Sequence, residues 1–170
     1  PFSLSSLRGL AAHQFGSVYT LSRLPRVEGN GEILRRPGPG NLFEPFVRSG
    51  GFLSLDDGSA GLTLGPDGDV LYVVDTVQER VLRYRANSGD FLGVLAPLSD
   101  VGCIDPVDLA FGPHDDNLYV RCNTSDSVVR YDGKTGEFLG EYVSVPSPTY
   151  LIFASYDLPS SLRSLSPVNG

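Results

Sequence analysis

The 170-residue sequence has no methionine, no tryptophan, two cysteines and two histidines. Each shortage excludes some chemistry. Two cysteines cannot make a zinc site without histidine help, and their spacing matches no metal motif. Two histidines leave little for a metal-assisted lyase, which needs several ligands converging at one point. No apolar run approaches the roughly 20 residues of a membrane span. No stretch sustains a helical period, and 20 Gly with 13 Pro imply many turns. Basic charge is also scarce. A net charge of −7 argues against nucleic acid, which wants a basic face. There is no G-x-S-x-G elbow, phosphate loop, H-E-x-x-H or C-x-x-C. A chain that starts at Pro1 without a methionine reads as a processed form or a piece of something longer.

What the chain does have is a repeat. Gly61–Leu95 and Asp108–Tyr142 align without a gap at an offset of 47 residues. Identical pairs include Leu62, Gly65, Pro66, Leu71, Tyr72, Val73, Val81, Arg83, Tyr84, Gly89 and Phe91 with their counterparts. A fixed period in the 40s with strand-like runs inside it is the signature of a propeller blade or a similar stacked array. Each copy holds four short segments rich in Val, Leu, Tyr and Phe and bounded by Gly, Pro, Asp and Asn. They are 62–64, 71–74, 81–84 and 91–95, then 109–111, 118–120, 128–131 and 138–142. Gly65-Pro66-Asp67-Gly68 reads as a tight turn. The apolar runs are nearly continuous, as a sheet covered on both faces requires. A simple four-stranded sandwich is the competing reading.

Residues 7–47 resemble a degenerate copy, with an insertion at 22–31. Residues 148–153 resemble 106–111, the first strand of a further copy that then stops. The fold expected is therefore all-β: propeller-type blades of four-stranded antiparallel sheets in an incomplete ring of about three blades plus one strand. Blades fall at 7–47, 61–95 and 108–143, with a partial one at 148–153, all within a domain over 1–156. Residues 157–170 read as an extended tail.

At GPDGDVLYVVD and VLRYRANSGDFLG the sequence resembles the NHL-repeat family of β-propellers. Residues 61–75 and 81–84 match that pattern closely. The second copy departs from it at His114-Asp115 and at Cys122. The resemblance implies a fold and little chemistry, because such propellers include binding platforms, RNA binders, lyases and lactonases.

The longer loops of such blades share one face, and function gathers there. Asp56, Asp57, Asp75, Glu79, Asp100, Asp105, Asp108 and Asp126 fall in or beside it. Asp108 replaces Gly61 at the start of the innermost strand and should point near the channel. Asp105, Asp108 and Asp75 are the candidate ligands for a hard cation, calcium being the one considered, since it needs several oxygens at one point. The alternative is a solvated acidic rim. His13 and His114 belong to the tight-turn face. Cys103 precedes the first strand of its repeat and Cys122 follows the second. Antiparallel pairing brings those ends together, giving either a disulfide or two buried thiols. Asn123-Thr124-Ser125 fits the N-glycosylation pattern. Together these lean towards an extracytoplasmic, secreted or luminal, setting.

Missing a catalytic cluster, the sequence is read as a non-catalytic interaction module without turnover, with no cofactor. The alternatives are a piece of a propeller lyase or lactonase, or a calcium or small-ligand binder on the acidic face. The end blades of an open array leave apolar faces bare. Leu10, Tyr19, Phe46, Tyr150, Leu151, Ile152 and Phe153 are therefore expected to meet another chain, or a second copy completing the ring.

Overall fold

The structure, a computed structural model, describes residues 7–12, 16–23, 31–47, 53, 61–148, 151 and 153. It is all-β, with three four-stranded antiparallel sheets whose strands follow in chain order. The first blade comprises β1 (Leu7–Ala12), β2 (Val18–Arg23), β3 (Gly31–Arg36) and β4 (Glu44–Val47). The second comprises β5 (Leu62–Leu64), β6 (Val70–Asp75), β7 (Arg80–Arg85) and β8 (Phe91–Pro97). The third comprises β9 (Pro106–Phe111), β10 (Leu118–Cys122), β11 (Ser127–Tyr131) and β12 (Phe138–Ser144). Among the described residues the only helical element is a 3-10 turn at Ser99–Val101. Among the described residues the sheets do not close into a ring and form an incomplete propeller.

Two cores, one on each side of the middle blade, rule out a sandwich. Leu71, Val73, Leu82 and Tyr84 join Tyr19, Leu21 and Ile33 of the first blade. Tyr72, Val74 and Val81 join Leu109, Leu118, Val120 and Val129 of the third. Successive strand residues point to opposite faces, so a sheet packed on both sides needs the unbroken run Leu71-Tyr72-Val73-Val74. The tight turn at Gly65 closes as expected, Gly68 N–H donating to the Gly65 carbonyl at 2.9 Å.

In the first two blades a tyrosine near the start of the second strand links to the next blade. Tyr19 Oη donates to the Ala86 carbonyl at 2.7 Å, and Tyr72 Oη to the Gly133 carbonyl at 3.4 Å. Ala86 and Gly133 are equivalent positions, so each bond runs from one blade to the third-to-fourth-strand turn of the next. This corrects the expectation that Tyr19 and Phe46 meet another chain. Tyr19 is 2% exposed, and Phe46 packs on the same core, with its carbonyl against Gly89 of the second blade. Sequence alternation does not say which face of a blade meets which neighbour. Leu10, in contrast, is 70% exposed.

Burial also sets an alkaline limit. Desolvation pushes the Tyr84 and Tyr131 phenols up to about 12, with Asp75 adding to it at Tyr84 and Asp100 at Tyr131. Because the folded state favours the neutral phenol, stability present below the ordinary value near 10 is lost as pH rises from there to about 12. The loss is about 2–3 kcal/mol per tyrosine. Tyr84 Oη is buried without a hydrogen-bond partner among the described residues. Tyr84→Phe should therefore leave stability at pH 7 within about 1 kcal/mol and raise it at pH 11.5. Urea unfolding at both pH values measures this. Equal effects at the two would contradict it.

Candidate functional site

The first strands lie next to one another from blade to blade, β5 touching both β1 and β9. Asp108 sits on β9, where the second blade has Gly61. A side chain at Gly61 would have its Cβ 2.7 Å from Asp108 Cα and 2.8 Å from its Oδ1. The missing side chain in one blade is thus what lets the carboxylate of the next lie against it.

Asp108 Oδ1 accepts the Leu109 N–H at 2.9 Å, and Oδ2 accepts the Leu151 N–H at 3.2 Å. Directly across on β10 is Arg121, buried, whose Nη1 donates to the Pro148 carbonyl. Acid and base together hold one segment by its N–H and its C=O. Phe153 then packs edge-on against Tyr119, centroids 4.8 Å apart, just as Phe111 packs on Tyr72 at 4.8 Å. Pro148, Leu151 and Phe153 therefore lie against the inner edge of the third blade. A carboxylate oxygen has two lone pairs, so one backbone bond to each oxygen leaves Asp108 able to accept more.

The other candidate carboxylates are committed elsewhere. Asp75 is fully buried; it accepts the Gln78 N–H at 3.1 Å and pairs with Arg80 Nε at 2.9 Å. Desolvation raises its pKa, while those two partners pull it back. Asp105 holds its backbone at φ 54°, and its Oδ2 accepts from Asn123 Nδ2 at 2.8 Å. Asp126 caps the end of the third blade, its Oδ1 accepting the Ser147 N–H at 2.7 Å. Asp105, Asp108 and Asp75 do not converge: no group of three His, Cys, Asp or Glu among the described residues could hold a metal. Asn123 is exposed, and so is His114 in the turn after β9. His13, Asp56, Asp57, Tyr150, Ile152 and the 157–170 tail lie outside the described residues.

Cys103 and Cys122 form a disulfide, Cα atoms 5.1 Å apart. Cys122 is the counterpart of Asp75. The second blade braces its second-to-third-strand bend with an Asp–Arg pair; the third, with serine in place of Arg80, uses a covalent bridge. The Arg121 clamp was not anticipated. Its signal was present, since Arg121 stands where the second blade has the buried Val74.

No family model matches the chain, and no curated protein sequence matches it significantly. Solved structures do. A calcium-binding protein, regucalcin from Agrobacterium tumefaciens, superposes with TM-score 0.62 at 19% identity, over 82% of this chain and 45% of that one. A luciferin-regenerating enzyme gives 0.64 at 17%, over 84% and 48%. A gluconolactonase from Xanthomonas campestris gives 0.59 at 18%, over 84% and 47%. These likenesses establish the β-propeller fold, and the chain spans about half the length of the propellers it matches. They also overturn the expectation of a non-catalytic interaction module. Its premise was that propeller blades without a local catalytic cluster serve as scaffolds, whereas the similar propellers include enzymes and a calcium binder.

Proposed function

We propose that these blades belong to a propeller enzyme of lactonase or lyase type that works at the long-loop mouth of its channel. Asp108 is the carboxylate they contribute there, to a hard cation such as calcium. The observation that carries the reading is the placement of Asp108 on an innermost strand, against a glycine and with accepting capacity left. Calcium takes six to eight oxygens, and the described residues do not supply such a set. Its other ligands would come from outside these three blades, so no reaction step is drawn through it. The NHL-like repeat supports the same architecture. The disulfide and the Asn123 sequon support an extracytoplasmic setting. A second reading, calcium binding without turnover, is favoured by the likeness to regucalcin.

The test uses terbium as a calcium surrogate, sensitised by the eight tyrosines in a chain without tryptophan. With one committed carboxylate, binding should be weak, with a dissociation constant of about 1 mM. It should be competed by calcium and lost in Asp108→Asn, but kept in Asp100→Asn, a change in an exposed loop. Binding indifferent to Asp108 would contradict the proposal. Lactone hydrolysis that disappears in Asp108→Asn would separate the enzyme from the binder.

A further inference from the structure

The bend between β10 and β11 carries a motif that the metal reading does not use. Asn123-Thr124-Ser125 is an asparagine with a hydroxyl residue two places on. Asn30, Asn41, Asn87 and Asn117 have Glu32, Phe43, Gly89 and Tyr119 at that place, none of which serves. The counterpart bend of the second blade, Thr76-Val77-Gln78, has no asparagine.

The fold presents this motif to solvent. Asn123 and Thr124 are exposed and Ser125 is half-buried. The bend is tied to the segment before β9. The Asn123 N–H donates to the Asp105 carbonyl at 2.9 Å and the Thr124 N–H to the Ile104 carbonyl at 3.2 Å. The Ile104 N–H donates to Ser125 Oγ at 3.2 Å, and the disulfide fastens the same two segments. A side-chain amide has two N–H groups. One on Asn123 donates to Asp105 Oδ2 at 2.8 Å. Among the described residues nothing accepts from the other. A substituent in place of that second hydrogen leaves the Asp105 bond intact. Beside the motif, Ile104 is an apolar side chain 51% exposed.

We propose that Asn123 is an N-glycosylation site and that its glycan covers Ile104. Asn123 Nδ2 bonds to the anomeric carbon of an oligosaccharide carried on a lipid pyrophosphate. The bond from that carbon to the pyrophosphate oxygen breaks, the lipid pyrophosphate leaves with the electron pair, and Nδ2 gives up one proton. The transfer takes place in a compartment that also permits disulfides. In the fold the glycan is a bulky polar group on the long-loop face, set over an apolar spot. The inference rests on the extracytoplasmic setting and is independent of Asp108, so glycan occupancy and terbium binding can fail separately.

The test expresses the 170-residue chain behind a secretory leader in cultured eukaryotic cells, reading cell-associated and secreted protein together. A glycosidase specific for asparagine-linked glycans should shift the band by one step, without denaturant as well as with it. The same digestion in heavy-oxygen water should label Asn123 alone, read by mass spectrometry. Ser125→Ala, which keeps Asn123 and its Asp105 bond, should lose the shift, and Ser125→Thr should keep it. Asn123→Gln should lose it and aggregate several-fold faster on mild heating. Ile104→Ser added to that variant should cancel the difference. Unmodified Asn123 in protein whose leader has been removed would overturn the site. So would a shift that survives Ser125→Ala, or a glycan released only after denaturation. Equal aggregation of Asn123→Gln and the glycosylated chain would overturn the covering of Ile104.

Discussion

Replacing Cys103 and Cys122 together with alanine is expected to lower stability by about 3 kcal/mol, the value for closing a loop of this length. The bridge joins residues 19 apart, and both cysteines are buried at 0% exposure in the core between the second and third blades. It ties the approach to β9 to the end of β10, and thereby fixes the strand that carries Asp108. The second blade needs no such bridge, because Asp75 holds the equivalent bend through Gln78 and Arg80. Reduction of the native protein should therefore reproduce the double substitution. Urea unfolding of the two proteins, with and without reductant, measures both effects. A midpoint unchanged by either treatment would show that the third blade does not depend on the bridge.

Gly136→Ala is expected to destabilise by about 3 kcal/mol, while Gly102→Ala costs only about 1–2 kcal/mol. The two glycines share nearly the same left-handed backbone, φ 76° and 77°, so the conformational penalty is common to both. What differs is the space. A Cβ on Gly136 would overlap the Leu95 carbonyl, whereas one on Gly102 would meet nothing within 4 Å. The difference between the two variants isolates the close approach of neighbouring blades. Gly89, whose added Cβ would fall 2.9 Å from the Phe46 carbonyl, makes the same approach one interface earlier. Thermal unfolding of the pair checks this. Equal losses would mean that the blades can move apart without penalty.

The blades were legible because their information is local and repeated. The strands of 61–95 and 108–143 emerge within two residues of where composition puts them, apart from the start of β9, which lies three residues earlier at Pro106. Asp108 was legible as the carboxylate that replaces a glycine at the entry to the innermost strand. The fate of the remaining carboxylates was not. Asp75 lies between strand and loop in sequence, and only packing shows that it is buried and bound to Arg80. The roles of Tyr19 and Phe46 depended on which face of a two-faced sheet meets the next blade, and a period of two leaves that undecided. The Arg121 clamp joins positions 27 residues apart across a repeat boundary, beyond the reach of spacing arguments.

Whether Asp108 marks the working mouth of this propeller is tested most directly by anomalous diffraction from crystals soaked in terbium. A peak about 2.3–2.6 Å from an Asp108 carboxylate oxygen, absent from Asp108→Asn crystals, is the predicted result. Terbium found only at exposed loop carboxylates such as Asp100 or Asp126, and unchanged in Asp108→Asn, would contradict it.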